Sequence, residues 1–189
     1  MYWYTKKIKN NTIWTSLFTI GLVLLCMSCE SPSQGLTSNN KQAYFDIPAY
    51  FENEISILQK SNPLVSKTVR IDKDTETKDL KISDWNDELS SFLVVDLNKP
   101  AYQGYIKKDS VNNQTTYTLS DNKTDLNKVT IKYINNIPSE FEISKTTKNF
   151  LYTTEELLTY KKGSMYSILK GQKIVLLGTN DFEIMSKIK

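Results

Sequence analysis

Chemistry in this chain would have to come from hydroxyls, lysines and carboxylates. There is no histidine anywhere, and only two cysteines, Cys26 and Cys29. The missing histidine excludes Ser-His-Asp and Cys-His nucleophilic catalysis and removes the usual general base. Ser167-Ile168-Leu169-Lys170 matches a Ser-x-x-Lys nucleophile pattern, which works only when the serine starts a helix and the lysine follows one turn later. Its surroundings read as a strand, which would put the two side chains on opposite faces. Asp72-Lys73-Asp74-Thr75-Glu76 looks like the opening of a calcium loop, but the glycine needed at position six is Thr77 and the glutamate needed at position twelve is Ser83. A polar hairpin turn is the better reading. Glu155 and Glu156 are adjacent, so in an extended segment they point apart and cannot share a substrate as a glycosidase pair would. The remaining acids, Glu52, Glu54, Asp84, Asp87, Asp121, Asp125 and Asp181, fall in turns or on polar helix faces and are expected to be solvated.

With neither histidine nor a thiolate in the folded part, a zinc, copper or iron site would need oxygen ligands alone. The six glycines form no dinucleotide or phosphate loop. The expectation is therefore a protein without metal, cofactor or catalytic residues.

The first 29 residues say where it works. Lys6, Lys7 and Lys9 precede an uncharged, apolar run from Ile13 to Met27, and Ser28-Cys29 follows. A basic segment before an apolar core of this length is a secretory signal. A transmembrane helix would need about 20 apolar residues, and no basic stop-transfer cluster follows Glu30-Ser31-Pro32. The junction resembles the lipobox of bacterial lipoproteins, with Cys26 standing where a leucine is usual. That resemblance implies cleavage after Ser28, acylation of Cys29 and an outer-membrane location. Residues 1–28 are then a signal peptide. Residues 29–42 are a polar tether of roughly 20 Å as a coil, and residues 43–189 are one domain. A single acid after the cysteine favours the periplasmic face.

Charge follows from the same cut. The chain has 24 Lys+Arg against 21 Asp+Glu. Losing the three leader lysines makes the remainder formally neutral, with no basic surplus for nucleic acid. The mature part also cannot form a disulfide, so its stability must come from an apolar core.

The elements that would build that core can be read by period. A helix is predicted from about Pro48 to Lys60, with Phe51, Ile55 and Leu58 on one face and Asn62-Pro63 as the stop. Two extended segments carry Val65, Val69, Ile71 and then Leu80, Ile82, with a turn at Asp72–Thr75. Ser83 is expected to cap a second helix, with Trp85, Leu89, Phe92 and Leu93 as its apolar stripe. Beyond Tyr102 the period becomes two, in strands around Tyr117, Ile131, Ile143, Leu158 and Tyr166, and turns are expected at Asn112-Asn113, Asn135-Asn136, Lys161–Ser164 and Gly178–Asp181. The fold class is α+β, with two N-terminal helices and a curved antiparallel β-meander that could close as a half-barrel.

The leader, the segment YFDIPAYFENEI and the segment LLTYKKGSMYSILKGQKI resemble uncharacterised, lipid-anchored, β-rich domains of Bacteroidota. Asp109-Ser110-Val111 resembles an O-glycosylation site of that phylum, which makes Ser110 a candidate for modification. The function expected is that of an outer-membrane lipoprotein acting by binding and not by catalysis. Its partners would be the membrane, through its lipid, and a protein, lipid or glycan. A hydrophobic-ligand or lipoprotein-handling module would have the layout of periplasmic lipoprotein carriers, with helices across the mouth of a curved sheet. The alternative is a protein- or glycan-interaction module using tyrosine-bearing strands, since nine tyrosines lie beyond the leader. An all-carboxylate hydrolase comes last.

Overall fold

A computed structural model describes residues 44–120 and 124–189, which belong to a compact unit spanning Lys41–Lys189. The predicted signal peptide, Cys29 and the tether lie outside the described residues. Among the described residues no helix is long and apolar enough to cross a membrane.

Helix α1 covers Ile47–Ser61. Asp46 caps it by accepting from the Ala49 N–H at 3.0 Å, and Asn62 ends it in the left-handed region with φ 43°. Fifteen residues are marginal as an isolated helix. Docking of the stripe Ile47, Phe51, Ile55 and Leu58, all buried, supplies the difference at about 1.5–3 kcal/mol per side chain.

Nine antiparallel strands follow in one open sheet: β1 (Leu64–Ile71), β2 (Asp74–Lys81), β3 (Ile106–Val111), β4 (Gln114–Leu119), β5 (Leu126–Ile134), β6 (Ile137–Lys148), β7 (Tyr152–Lys161), β8 (Met165–Ile174) and β9 (Gly178–Ile188). From β3 to β9 they form a meander. The β1–β2 hairpin attaches at the far end by pairing β1 with β9, which gives the order β2-β1-β9-β8-β7-β6-β5-β4-β3. The sheet does not close; β2 and β3 are its edges. Asn112-Asn113 and Asn135-Asn136 make the expected two-residue turns with both φ values positive, the backbone that a tight hairpin requires.

The described residues are thus mostly sheet, with few helices, and do not confirm the expected pair of N-terminal helices. The second predicted helix comes after a hairpin and is two four-residue pieces, α2 (Trp85–Glu88) and α3 (Ser90–Leu93). Its cap is Asp84, not Ser83. The break at Leu89 has a local cause: the Ser90 hydroxyl donates to the Asp87 carbonyl at 2.8 Å, occupying an acceptor that a continuous helix would use.

This segment must run from one sheet edge, β2, to the other, β3. On the way it buries Ile82, Trp85, Leu89, Phe92, Val95, Leu97 and Tyr102 against the face that α1 also covers. Facing them are Val65, Tyr117, Val129, Ile131, Phe141, Ile143, Leu158, Tyr160 and Tyr166. Phe51 ties the layers together. It stacks on Phe92 at 4.8 Å and meets Phe141 and Tyr160 edge-on at 5.3 and 5.0 Å.

Trp85 is fully buried and packs edge-on to Tyr166 at 6.0 Å. Trp85→Ala should therefore cost about 3–5 kcal/mol. Chemical denaturation of the purified protein checks this, and an unchanged midpoint would mean that the indole does not anchor the core.

Candidate functional site

Two carboxylates expected to face water, or not singled out at all, are the most constrained in the molecule. Glu54 was expected on the polar face of its helix; it is buried, 3% exposed. It accepts from the Tyr160 hydroxyl at 2.8 Å and from Lys162 Nζ at 2.6 Å. Its position three residues after Phe51 was the available signal, because that spacing shares a face. Glu88, at the end of α2, repeats the arrangement by accepting from Tyr166 at 2.7 Å and Lys67 at 2.7 Å. Each carboxylate is filled by a tyrosine and a lysine from the sheet, so the pair pins the helical layer in place.

Further along the same face lies a rung of charge across four strands, Lys145·Glu156·Lys170·Phe182. Lys145 and Lys170 each approach Glu156 at 3.2 Å. Burial pushes the Glu156 carboxyl up, but Lys145 and then Lys170 outweigh it and leave it below the usual carboxylate range. A depression of about 340 Å³ beside this rung is lined by Glu88 and Glu156 together. Asp87 lines it as well, and carboxylates gathered in one hollow are what a hydrolase would need, but a general acid needs a raised pKa, and Glu156 is shifted the other way. Among the described residues no cluster of His, Cys, Asp and Glu could hold a metal.

The other motifs resolve as structure. Ser167 is buried and Lys170 faces Glu156 from the opposite side of β8, so the Ser-x-x-Lys pair does not meet. Asp72-Lys73 is a hairpin turn between β1 and β2. Glu155 and Glu156 sit on opposite faces of β7. Ser110 is exposed on edge strand β3, with its hydroxyl 3.2 Å from that of Thr115. Tyr102, Tyr117, Tyr160 and Tyr166 are buried, and Tyr44, Tyr50 and Tyr133 pack against the core. They form no exposed row.

What sequence reasoning missed is the far end of the sheet. The last turn was expected at Gly178–Asp181. The chain turns instead at Val175–Leu177, and Gly178–Asp181 begins β9. These four residues pair with Gly171–Ile174 of β8, and a contact between distant residues adds to that pairing. Asp72 N–H donates to the Asp181 carbonyl at 2.8 Å, and Asp181 N–H donates to the Asp72 carboxylate at 3.0 Å, which locks Asp181 into the sheet. Beside this turn is the β6–β7 turn, joined to it by a hydrogen bond from Val175 N–H to the Leu151 carbonyl at 2.9 Å. The two tips expose Phe150, Leu151, Val175, Leu176 and Leu177, at 89%, 56%, 58%, 100% and 81%. Single exposed apolar residues need no explanation; five at adjoining tips do.

Two results should follow from the pinned tyrosines and carboxylates. Glu54→Ala leaves the buried Tyr160 hydroxyl without its acceptor, a cost of about 1–3 kcal/mol. The exposed half of Lys162 swings into water and adds little. Glu54→Gln, which keeps an acceptor, should cost less by the same denaturation midpoint. The second result is alkaline. Burial first, and the adjacent carboxylates after it, raise Tyr50, Tyr102, Tyr160 and Tyr166 far above the ordinary phenol. A raised folded pKa gives stability that is whole below about pH 10, the unfolded value, and is lost as pH climbs toward the folded one. The part of the tyrosinate absorbance that comes from these four should therefore rise together with loss of the fold and not ahead of it.

Comparison of the chain with family models, with curated proteins and with solved structures finds no match in any of the three.

Proposed function

We propose that this chain is a lipid-anchored extracytoplasmic protein that acts by binding, held through Cys29 at the periplasmic face of the outer membrane. The observation that carries the binding reading is the pair of apolar tips at the end of the sheet left uncovered by helices. A carrier that sheltered a hydrophobic ligand between sheet and helices would need room there, and Phe51, Phe92, Phe141 and Tyr160 occupy that space in mutual contact. An apolar partner would meet the tips instead. The glycan reading wants an exposed row of tyrosine rings, and seven of the nine tyrosines beyond the leader are buried or packed against the core, with Tyr105 exposed and Tyr152 half-buried, which favours a protein or lipid partner. The non-catalytic reading is supported by the saturated state of Glu54 and Glu88 and by the downward shift of Glu156.

Fractionation of cells tests the anchor. Wild-type protein should be found in the membrane with an acyl mass increment on the peptide that begins at Cys29, and Cys29→Ser should move most of it to the soluble fraction. Membrane protein with an unmodified Cys29 would sink the anchor. Hydrolytic turnover of glycoside, ester or peptide substrates by the purified protein, abolished by Glu156→Gln, would sink the binding reading.

A further inference from the structure

We infer that the two hairpin tips insert into a lipid surface bearing anionic headgroups, giving the protein a membrane contact separate from its lipid anchor. The inference deepens the binding reading above and rests on it. Its evidence is the order in which residue types occur going inward from the tips. Outermost are Phe150, Leu151, Val175, Leu176 and Leu177. Directly behind them Tyr152, Ile174 and Gly178 pair across β7 to β9, and the first rung that crosses all four strands from β6 is Lys148·Thr153·Lys173·Thr179. It contains two cations and no acid, both lysines are exposed, and by strand alternation both lie on the face away from the helices. Neither lysine has a carboxylate partner among the described residues. The second rung, Thr147·Thr154·Gln172·Asn180, is uncharged, and acids first appear in the third, with Glu155 and Asp181. At about 3.3 Å per residue the acids sit roughly 7 Å behind the lysines. Apolar, then cationic, then neutral polar is the layering of a bilayer interface: side chains in the acyl boundary, ammonium groups among the phosphates, hydroxyls in the headgroup region.

The turn itself points the same way. Elsewhere the positive-φ positions of hairpin turns are filled by Asp72, Asn112, Asn113, Asn135 and Asn136, but here Leu176 takes φ 71°. A leucine in the left-handed region is strained and, at 100% exposure, gains nothing from the fold in return. It would gain from transfer into lipid. Reach is sufficient: the segment between Cys29 and Tyr44 spans at most about 50 Å when fully extended, so a domain tethered there stays beside the bilayer.

Site-specific photocrosslinking tests this. A benzophenone-bearing phenylalanine analogue is placed at Phe150, at Leu176, or at Asn113 in a turn at the opposite end of the sheet. The full chain, purified from membranes with its anchor, is reconstituted in phosphatidylcholine vesicles with or without phosphatidylglycerol. Lipid adducts are expected at 150 and 176 and not at 113, with a higher yield when phosphatidylglycerol is present. Lys148→Glu and Lys173→Glu should remove that gain, each by roughly five-fold, with an unaltered melting temperature because both side chains are exposed. Adducts at the tips to a second copy of this chain, or in cell membranes to another protein, would overturn lipid insertion and leave the binding reading standing. Tips that give no adduct of any kind would overturn both.

Discussion

A long sheet under a short helical layer can be covered over only part of its length, and the rest of this molecule follows from that mismatch. Strand β6 has 12 residues, roughly 40 Å, whereas the 15 residues of α1 extend about 22 Å. The crossing segment adds only two four-residue helices. Cover therefore thins near the rung Lys145·Glu156·Lys170, and on the same face beyond it Thr147 and Asn180 are exposed and Gln172 is half-buried, with Thr154 still buried. The sequence of β6 to β9 responds residue by residue. The core-facing positions Phe141, Ile143, Leu158, Tyr160, Tyr166 and Ile168 give way on the same face to Lys145, Glu156, Lys170, Thr154 and Gln172. The ion-paired rung is the seam between a buried sheet and a solvated one.

Within the covered part, position is fixed by two carboxylates, buried Glu54 and half-buried Glu88, more than by area. Aromatic and aliphatic packing would tolerate a helix shifted along the sheet with little loss. Glu54 and Glu88 would not, since moving either strands a tyrosine hydroxyl and a lysine that it now satisfies. Removing one partner of such an arrangement is costly even where the pair itself adds little net stability. The two pins hold α1 to β7 and α2 to β8 and β1, so the helical layer is clamped to the centre of the sheet, at neighbours in its strand order.

Period, caps and turn chemistry made most of the fold readable beforehand. Thr115, Tyr117 and Leu119 alternate and are all buried on β4; Phe51, Ile55 and Leu58 recur at helical spacing and are all buried on α1. What failed was information carried between distant residues. Gly178-Thr179-Asn180-Asp181 has the composition of a turn, yet it pairs with Gly171–Ile174 of β8 across the Val175–Leu177 turn, and Asp181 is held further by Asp72, 109 residues away. Glu54 looked solvated because an acid near a helix start usually is, and its two partners lie 106 and 108 residues on. The candidate site was hidden for the same reason. Val175-Leu176-Leu177 reads locally as strand, and its exposure depends on where the neighbouring strands stop.

Those strand ends also decide how a partner can approach. An open sheet offers two routes: pairing along an edge, or contact with the ends of its strands. Both edges here are guarded by charge, β2 carrying Asp74, Glu76, Lys78, Asp79 and Lys81, and β3 carrying Lys107, Lys108 and Asp109. Charged edges discourage strand addition, and they stand first and last of the nine strands. Among the described residues a group of five exposed apolar side chains lies where β6 meets β7 and β8 meets β9, in the interior of the strand order, and a smaller one, Val111, Ile134 and Ile137, lies at the opposite end. A partner that binds as proposed would therefore meet the protein end-on, through side chains at turns, where the backbone polar groups of the strands are already satisfied by their neighbours.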